Sequence, residues 1–122
     1  MTTPSTSRGI LILDEGLEPL KAELRKRDIR ILLPSQGTFN ESLLEIYASG
    51  RILVTQTPKK YLHQAIEFEF GVLSTEHFKQ VDAKLASTIS KAMMDNKLFQ
   101  KAPPFLATLQ PDGLMTVQDL EG

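Results

Sequence analysis

The sequence predicts an α/β protein with three layers, in which a mostly parallel sheet lies between helices on both faces. Short aliphatic runs, typical of strands buried on both faces, alternate along the chain with segments whose apolar residues recur at helical spacing. Such alternation indicates parallel strands joined by right-handed crossovers. Because 122 residues is the size of one ordinary domain, we expect a single domain over residues 9–122 and a disordered tail over residues 1–8.

Apolar periodicity and turn residues locate the individual elements. The predicted strands cover residues 10–13, 29–33, 52–54 and 70–73, and a C-terminal β-hairpin pairs residues 105–109 with residues 114–117 across Pro-Asp-Gly at 111–113. The predicted helices cover about residues 17–27, 38–49, 58–68 and 75–94. Their predicted N-caps are Thr38 with Glu41 as a capping box, Thr57 before Pro58, and Ser74 or Thr75.

Two carboxylates directly follow the first strand. Ligands of open parallel α/β sheets bind beyond the carboxyl ends of the strands, so Asp14 and Glu15 are candidate functional residues. Alternatively, Asp14 or Glu15 caps the following helix. Successive strand side chains alternate between faces, and we therefore expect Glu15 to point away from Asp14. The same rim of the sheet would gather Gln56, Thr57, Glu76 and the start of the second helix.

Composition excludes several classes of function. Fourteen Lys and Arg against 15 Asp and Glu leave a net charge of −1, so no chain-wide attraction to nucleic acid or lipid is expected. The absence of cysteine excludes disulfides and thiolate zinc sites and fits a reducing compartment. No apolar run is long enough to span a bilayer, and the first residues lack the apolar core of a signal peptide. We expect a cytoplasmic protein without a membrane partner.

The motifs of common active sites are also missing. The residues after the first strand match neither the dinucleotide fingerprint nor the P-loop. His63 and His77 have no cysteine, second histidine or serine elbow at the spacing of a zinc site or a catalytic triad. Carboxylate chemistry with a hard cation such as Mg²⁺ or Mn²⁺ is left as the candidate.

Residues 10–57 resemble the small PIN-like nucleases of bacteria and archaea. The resemblance is carried by Leu-Asp-Glu after the first strand, Asn-Glu-Ser-Leu-Leu-Glu-Ile in the second predicted helix and Gly-Arg-Ile-Leu-Val-Thr at the third strand. It implies the same alternating fold and an acidic site that binds Mg²⁺ or Mn²⁺ and cuts RNA, often as the toxin of a toxin–antitoxin pair. It also implies that a homodimer and an antitoxin-like protein partner are to be expected.

Most of the acidic motif is lost in this chain. Asp14 matches the first aspartate of the family, whereas the helix-two aspartate falls on Asn40 and the pair after strand three falls on Thr57 and Lys59. The resemblance therefore makes Asp14, Asn40, Glu41 and Thr57 the candidate catalytic positions, with Asp14 as the one candidate metal ligand. Nucleic-acid contacts, if any, are expected from the basic first helix at Lys21 and Arg25, and from Lys59.

Three functional hypotheses follow. The first is a PIN-like domain whose acidic site is degenerate and which acts as an interaction module for a protein or RNA partner. The second is a Mg²⁺- or Mn²⁺-dependent ribonuclease with a reduced single-metal site at Asp14, assisted by Glu41. The third is a receiver-like or flavodoxin-like domain, which we rank last because the end of strand three offers Thr55, Gln56 and Thr57 instead of a phosphoacceptor aspartate.

Overall fold

The structure, a computed structural model, describes residues 10–27, 29–32 and 48–120. These residues confirm the predicted α/β class, since they form one mostly parallel sheet with helices packed on it. The strands are β1 (Ile10–Leu13), β2 (Arg30–Leu32), β3 (Ile52–Thr55), β4 (Gly71–Ser74), β5 (Phe105–Leu109) and β6 (Met115–Asp119). The helices are α1 (Leu20–Arg25), α2 (Leu62–Phe68) and α3 (Ala83–Asp95), with 3₁₀ turns at Pro58–Lys60 and Leu98–Gln100.

The order of the strands creates a topological switch point. The six strands lie in the order β2-β1-β3-β4-β5-β6, and every neighbouring pair is parallel except β5 and β6. The chain leaves β1 toward β2 on one side and returns to place β3 on the other side. The carboxyl ends of β1 and β3 therefore lie at the switch point, which is where open α/β sheets bind ligands.

Helices cover both faces of the sheet because both sets of strand side chains are apolar. All four residues of β3 and of β4 are buried, as expected for central parallel strands. One face packs against α1 and α3, and the opposite face packs against α2. The first face contains Leu11, Leu13, Val54, Leu73, Phe105 and Ala107 with Leu20, Leu24, Leu85 and Ile89, and the second contains Ile12, Leu53 and Val72 with Tyr61, Ala65 and Phe70.

The antiparallel pairing predicted at the end of the chain is present. Phe105 lies opposite Asp119 and Leu109 lies opposite Met115. The connection is a tight turn in which the Gly113 N–H donates to the Gln110 carbonyl at 2.9 Å, with Gly113 at φ 93°. Glycine adopts this left-handed conformation without steric cost, and it is typical of hairpins with three-residue loops.

The last long helix begins later than the sequence predicted. Neither Ser74 nor Thr75 caps it, because residues 75–81 are not helical, and the Asp82 carboxylate instead accepts the Leu85 N–H at 3.0 Å. Phe78 and Val81 keep the apolar spacing and pack against the core from outside the helix. The spacing of these two side chains therefore predicted their burial correctly but predicted a helix that begins too early.

Two further predictions about helices are corrected. The first helix covers Leu20–Arg25 rather than about residues 17–27, because a turn closed by the Leu17 N–H and the Asp14 carbonyl precedes it. Thr57 precedes a 3₁₀ turn rather than an α-helix, and its side chain makes no capping hydrogen bond. Residues 38–47 of the predicted second helix, including Thr38, Asn40 and Glu41, lie outside the described residues, as does the predicted tail, and residues 48 and 49 are not helical. None of the described helices has the length and apolar character needed to cross a membrane.

A close approach between β4 and β5 requires glycine. Gly71 lies opposite Phe105 in the parallel register, and the Phe105 ring occupies the space where a side chain at position 71 would stand. A Cβ atom placed on Gly71 would lie 2.2 Å from Phe105 Cζ, well inside van der Waals contact. The aromatic ring thus fills the core by using the volume that glycine leaves.

Candidate functional site

The candidate site lies at the switch point, where Asp14 follows β1. The Asp14 N–H donates to the Val54 carbonyl at 3.0 Å, which continues the β1–β3 ladder by one residue and holds the Asp14 backbone beside the end of β3. Asp14 is only 6% exposed. A buried carboxylate is costly unless it accepts hydrogen bonds, so its surroundings determine what it can do.

Three donors converge on the Asp14 carboxylate. The Thr55 hydroxyl donates to Oδ2 at 2.6 Å, and the Tyr61 hydroxyl donates to Oδ1 at 2.9 Å. The Glu15 backbone N–H also donates to Oδ1, at 2.7 Å. Both oxygens therefore accept hydrogen bonds from the protein itself. We call Asp14, Thr55 and Tyr61 the carboxylate cluster.

Thr55 extends this network to the loop after β3. Its Oγ1 accepts the Thr57 N–H at 3.0 Å while its proton goes to Asp14. The Thr57 hydroxyl lies 3.3 Å from the same oxygen. Thr57, a candidate catalytic residue from the sequence, thus hydrogen-bonds to Thr55 and is linked to Asp14 through it.

Tyr61 reaches the cluster from the α2 side of the sheet. It is 1% exposed, and its ring packs with Leu53 and Ala65 while its hydroxyl points to Asp14. Lys60 Nζ lies 5.4 Å from the ring centroid, within the range of a cation–π contact. Tyrosine suits this position because it buries a large apolar ring and keeps one polar atom for a partner.

The other residues predicted at the rim do not join the cluster. Glu15 is exposed, in agreement with the expectation that it points away from Asp14. Gln56 donates to the Phe78 carbonyl at 3.2 Å, and the Glu76 carboxylate accepts from the Ser74 hydroxyl at 3.0 Å. Neither Asp14 nor Glu15 caps α1 with its side chain, since that helix begins after Pro19 without a side-chain cap. The capping alternative is therefore wrong.

The metal-site residues are only partly described. Asn40 and Glu41 lie outside the described residues. Within residues 10–27, 29–32 and 48–120, no three Asp, Glu, His or Cys side chains group closely enough to hold a metal ion. Asp14 is thus surrounded here by two hydroxyls and a backbone amide, which donate hydrogen bonds to it.

The three predicted nucleic-acid contacts are spread over two layers. Lys21 and Arg25 belong to α1, whereas Lys59 is exposed on the 3₁₀ turn that leads to α2 on the opposite face of the sheet. The cations that follow α1 are partly neutralised. Lys26 and Arg27 contact the Glu23 carboxylate at 3.2 and 3.4 Å, and these contacts, chiefly the hydrogen bond from Lys26, hold the pKa of Glu23 below its usual range.

A cleft on the same rim of the sheet is separate from the carboxylate cluster. It is a cleft of about 310 Å³ between the loop after β4 and the start of α3. Phe78, Leu85 and Pro111 supply its apolar side chains, Lys79 and Lys84 supply its cationic ones, and His77 also lines it. Asp14 does not line this cleft.

Sequence reasoning missed Thr55 and Tyr61 as site residues. It placed Thr55 at the end of the third strand and Tyr61 within the predicted helix over residues 58–68, and it gave neither a role at the site. The signal that identifies Thr55 is the register of the parallel sheet, in which Leu13 lies opposite Val54 and the next residues of the two strands are therefore neighbours. Register cannot be read from a single sequence when the strands are joined by long crossovers.

Comparisons with known proteins add no relative to these observations. No protein-family model matches the chain, and no match was found among curated proteins or solved structures.

Proposed function

We propose that this chain is a PIN-like domain in which Asp14, the acidic residue kept from the motif, has a structural role. We also propose that the domain acts by binding a partner rather than by cutting RNA. One observation carries the proposal. Asp14 is 6% exposed, and its carboxylate accepts hydrogen bonds from Thr55, Tyr61 and the Glu15 amide. Charge-assisted hydrogen bonds of this kind stabilise a buried carboxylate without a cation.

The lost carboxylates support the same conclusion. Mg²⁺ and Mn²⁺ sites normally combine carboxylates with water and substrate phosphate. Positions that the resemblance assigns to acids hold Thr57 and Lys59 instead. Each missing carboxylate removes an attraction of about a few kcal/mol for a divalent cation at an effective dielectric constant near 20, and Lys59 adds repulsion.

The surface charge favours a protein partner over RNA. Binding to a nucleic-acid backbone needs a patch of cations that replaces counterions along the phosphates. The chain has a net charge of −1, and the described cations of α1 and of the Pro58–Lys60 turn belong to different layers of the molecule. RNA as the partner is the alternative that a binding measurement distinguishes.

A metal-dependent ribonuclease is the second candidate. The position of Asp14 favours it, because the cluster lies at the switch point between β1 and β3 where such sheets bind ligands. In this case a cation would displace the Thr55 hydroxyl from Oδ2, and Glu41 would assist.

Metal dependence of the melting temperature separates the two candidates. The proteins to compare are the wild type, Asp14→Asn and, as a matched control, Glu15→Gln at the exposed neighbour. We expect each of the three proteins to have the same melting temperature with added Mn²⁺ or Mg²⁺ as with a metal chelator. We also expect Asp14→Asn to melt at a lower temperature than the control, both with cation and with chelator. A structural carboxylate gives this pattern because its contribution does not depend on a cation.

The opposite pattern would support the nuclease. Bound cation raises the free energy of unfolding by about 2.7 kcal/mol at 100 times its dissociation constant. A melting temperature that rises with Mn²⁺ in the wild type and in Glu15→Gln but not in Asp14→Asn, together with Mn²⁺-dependent cleavage of a labelled RNA lost in Asp14→Asn, would overturn the proposal. Fluorescence anisotropy with the same RNA, without metal, tests the RNA-binding alternative.

A further inference from the structure

The outer edge of β6 is open among the described residues. β6 is the last strand of the sheet, and β5 is its one described strand neighbour. Four of its five residues, Thr116 to Asp119, are exposed. An edge strand presents a row of backbone N–H and C=O groups that another strand can use.

The backbone N–H and C=O groups of successive β6 residues point alternately toward β5 and away from it. The Leu120 N–H donates to the Pro104 carbonyl at 3.2 Å, and the Leu114 carbonyl accepts from the Gln110 N–H at 2.8 Å. Antiparallel ladders alternate between hydrogen-bonded and non-hydrogen-bonded pairs, so Thr116 and Gln118 also direct their backbone groups to β5. The N–H and C=O groups of Met115, Val117 and Asp119 consequently point outward.

This edge lacks the features that usually prevent strand pairing. Natural edge strands are protected by proline, by lysine or by bulges. The sequence Met-Thr-Val-Gln-Asp contains neither proline nor lysine, and its register with β5 is unbroken over five pairs. Its single charge, Asp119, is 2.7 Å from Lys101 Nζ.

We propose that β6 pairs antiparallel with β6 of a second copy of this chain, about a two-fold axis at Val117. In this register Val117 lies opposite Val117 of the second copy, and Met115 lies opposite Asp119. The outward N–H and C=O groups of these residues then all find partners in the other strand. The two sheets become one continuous sheet across the axis, and the inference holds whether or not the domain cuts RNA.

Self-complementarity favours a second copy over an unrelated strand. Thr116 lies opposite Gln118 of the other copy, and the carboxylate of Asp119 faces methionine rather than another acid. Moving the axis to Asp119 would instead place two carboxylates opposite each other, which is destabilising. Moving it to Met115 would bring Val117 opposite the turn at Gly113 and shorten the ladder. The register centred on Val117 is therefore the one that uses the whole strand.

Side chains on the α1/α3 face add apolar contact at the axis. Val117 is 37% exposed and lies on the same face of the sheet as Met115, which packs against the core. Its neighbour on β5 is Ala107, which is fully buried. Pairing would cover Val117 with Val117 of the second copy and extend the apolar surface formed by Ala107, Met115 and Val117. Since two five-residue strands make a small interface, we expect a weak dimer with a Kd on the order of 10–100 μM.

Amide hydrogen exchange tests the proposed pairing residue by residue. At a protein concentration well below the Kd, the amides of Thr116 and Gln118 are expected to be protected and those of Met115, Val117 and Asp119 to exchange freely. At a concentration well above it, we expect the odd-numbered amides to become protected as well, at least tenfold. Sedimentation equilibrium measures the dimer over the same range of concentration.

Paired charges test the register. Thr116→Lys combined with Gln118→Glu places opposite charges across the axis twice and should tighten the dimer about tenfold, whereas Thr116→Lys with Gln118→Lys should weaken it by a similar factor. Both residues are exposed, and thermal melting shows whether each double variant still folds. A chain that stays monomeric at all concentrations would overturn the proposal. So would a dimer that leaves the Val117 amide unprotected, or one in which both double variants have the same Kd.

Discussion

The Thr55 hydroxyl and the Asp14 carboxylate lie 2.6 Å apart across the switch point of the sheet. The bond joins the ends of β1 and β3, and Tyr61 adds a second bond from the segment that enters α2. A residue that the sequence presents as a metal ligand is thereby part of the packing between strands. Each donor in the carboxylate cluster can be removed with little change of shape, which makes the cluster accessible to measurement.

Thr55→Val should lower the free energy of unfolding by about 1.5–3 kcal/mol. The substitution keeps the shape of the side chain but withdraws a donor from a buried charged acceptor, which is the costly way to break a hydrogen bond. Urea denaturation measures the loss. Thr88→Val is the matched control, because its hydroxyl donates to the Lys84 carbonyl in an exposed bond and its removal should cost less than about 0.5 kcal/mol. Equal losses in the two variants would contradict a special role for Thr55.

Tyr61→Phe should cost about 1.5–3 kcal/mol for the same reason, since the ring stays in place and only the hydroxyl that bonds Asp14 is lost. A double-mutant cycle with Asp14→Ala assigns the effect. If the hydroxyl acts through the carboxylate, the two substitutions together should cost less than their sum by about 0.5–3 kcal/mol. Additive losses would show that the hydroxyl contributes through some other contact.

Gly71→Ala should be destabilising by about 1–3 kcal/mol, although alanine is a small residue. The new Cβ would lie 2.2 Å from Phe105 Cζ, so the ring or one of the two strands must move. Phe105→Leu in the same chain should recover part of this loss, because it removes the ring atoms that clash. Thermal denaturation of both single variants and the double variant measures the recovery. A double variant no better than the sum of the singles would contradict the close approach.

Asp82→Ala should cost about 0.5–2 kcal/mol by removing the N-cap of α3. Asp95→Ala at the other end of the helix is the control. There the aspartate only pairs with Lys91 on the surface, at 2.7 Å, and such pairs contribute about 0–1 kcal/mol. Chemical denaturation should rank Asp82→Ala as the more destabilising of the two. The reverse ranking would return the start of this helix to the earlier residues predicted from the sequence.

Strand positions could be predicted from the sequence because buried parallel strands are short aliphatic runs. Residues 10–13 and 105–109 were placed without error, and the other described strands were placed within one or two residues. Helix starts were less accurate where turns carry apolar side chains. Phe78 and Val81 pack against the core without being helical, so apolar spacing alone extended α3 too far toward the N-terminus.

The candidate site was predictable at Asp14 and not beyond it. That a carboxylate after the first strand would reach the rim follows from the fold class alone. The identity of its partners depends on which residue of β3 lies beside it and on where the Pro58–Lys60 turn places the Tyr61 ring. Both depend on long-range pairing, which local patterns do not encode.

The length of chain between the partners in the carboxylate cluster has a kinetic consequence. Asp14 is separated from Thr55 by 41 residues and from Tyr61 by 47 residues. The two hydrogen bonds can form only after that long loop has closed and β1 has found β3, so they contribute nothing to the first steps of folding. Breaking either bond should therefore leave the folding rate nearly unchanged and speed unfolding, which makes Asp14 a residue that sets the lifetime of the folded chain.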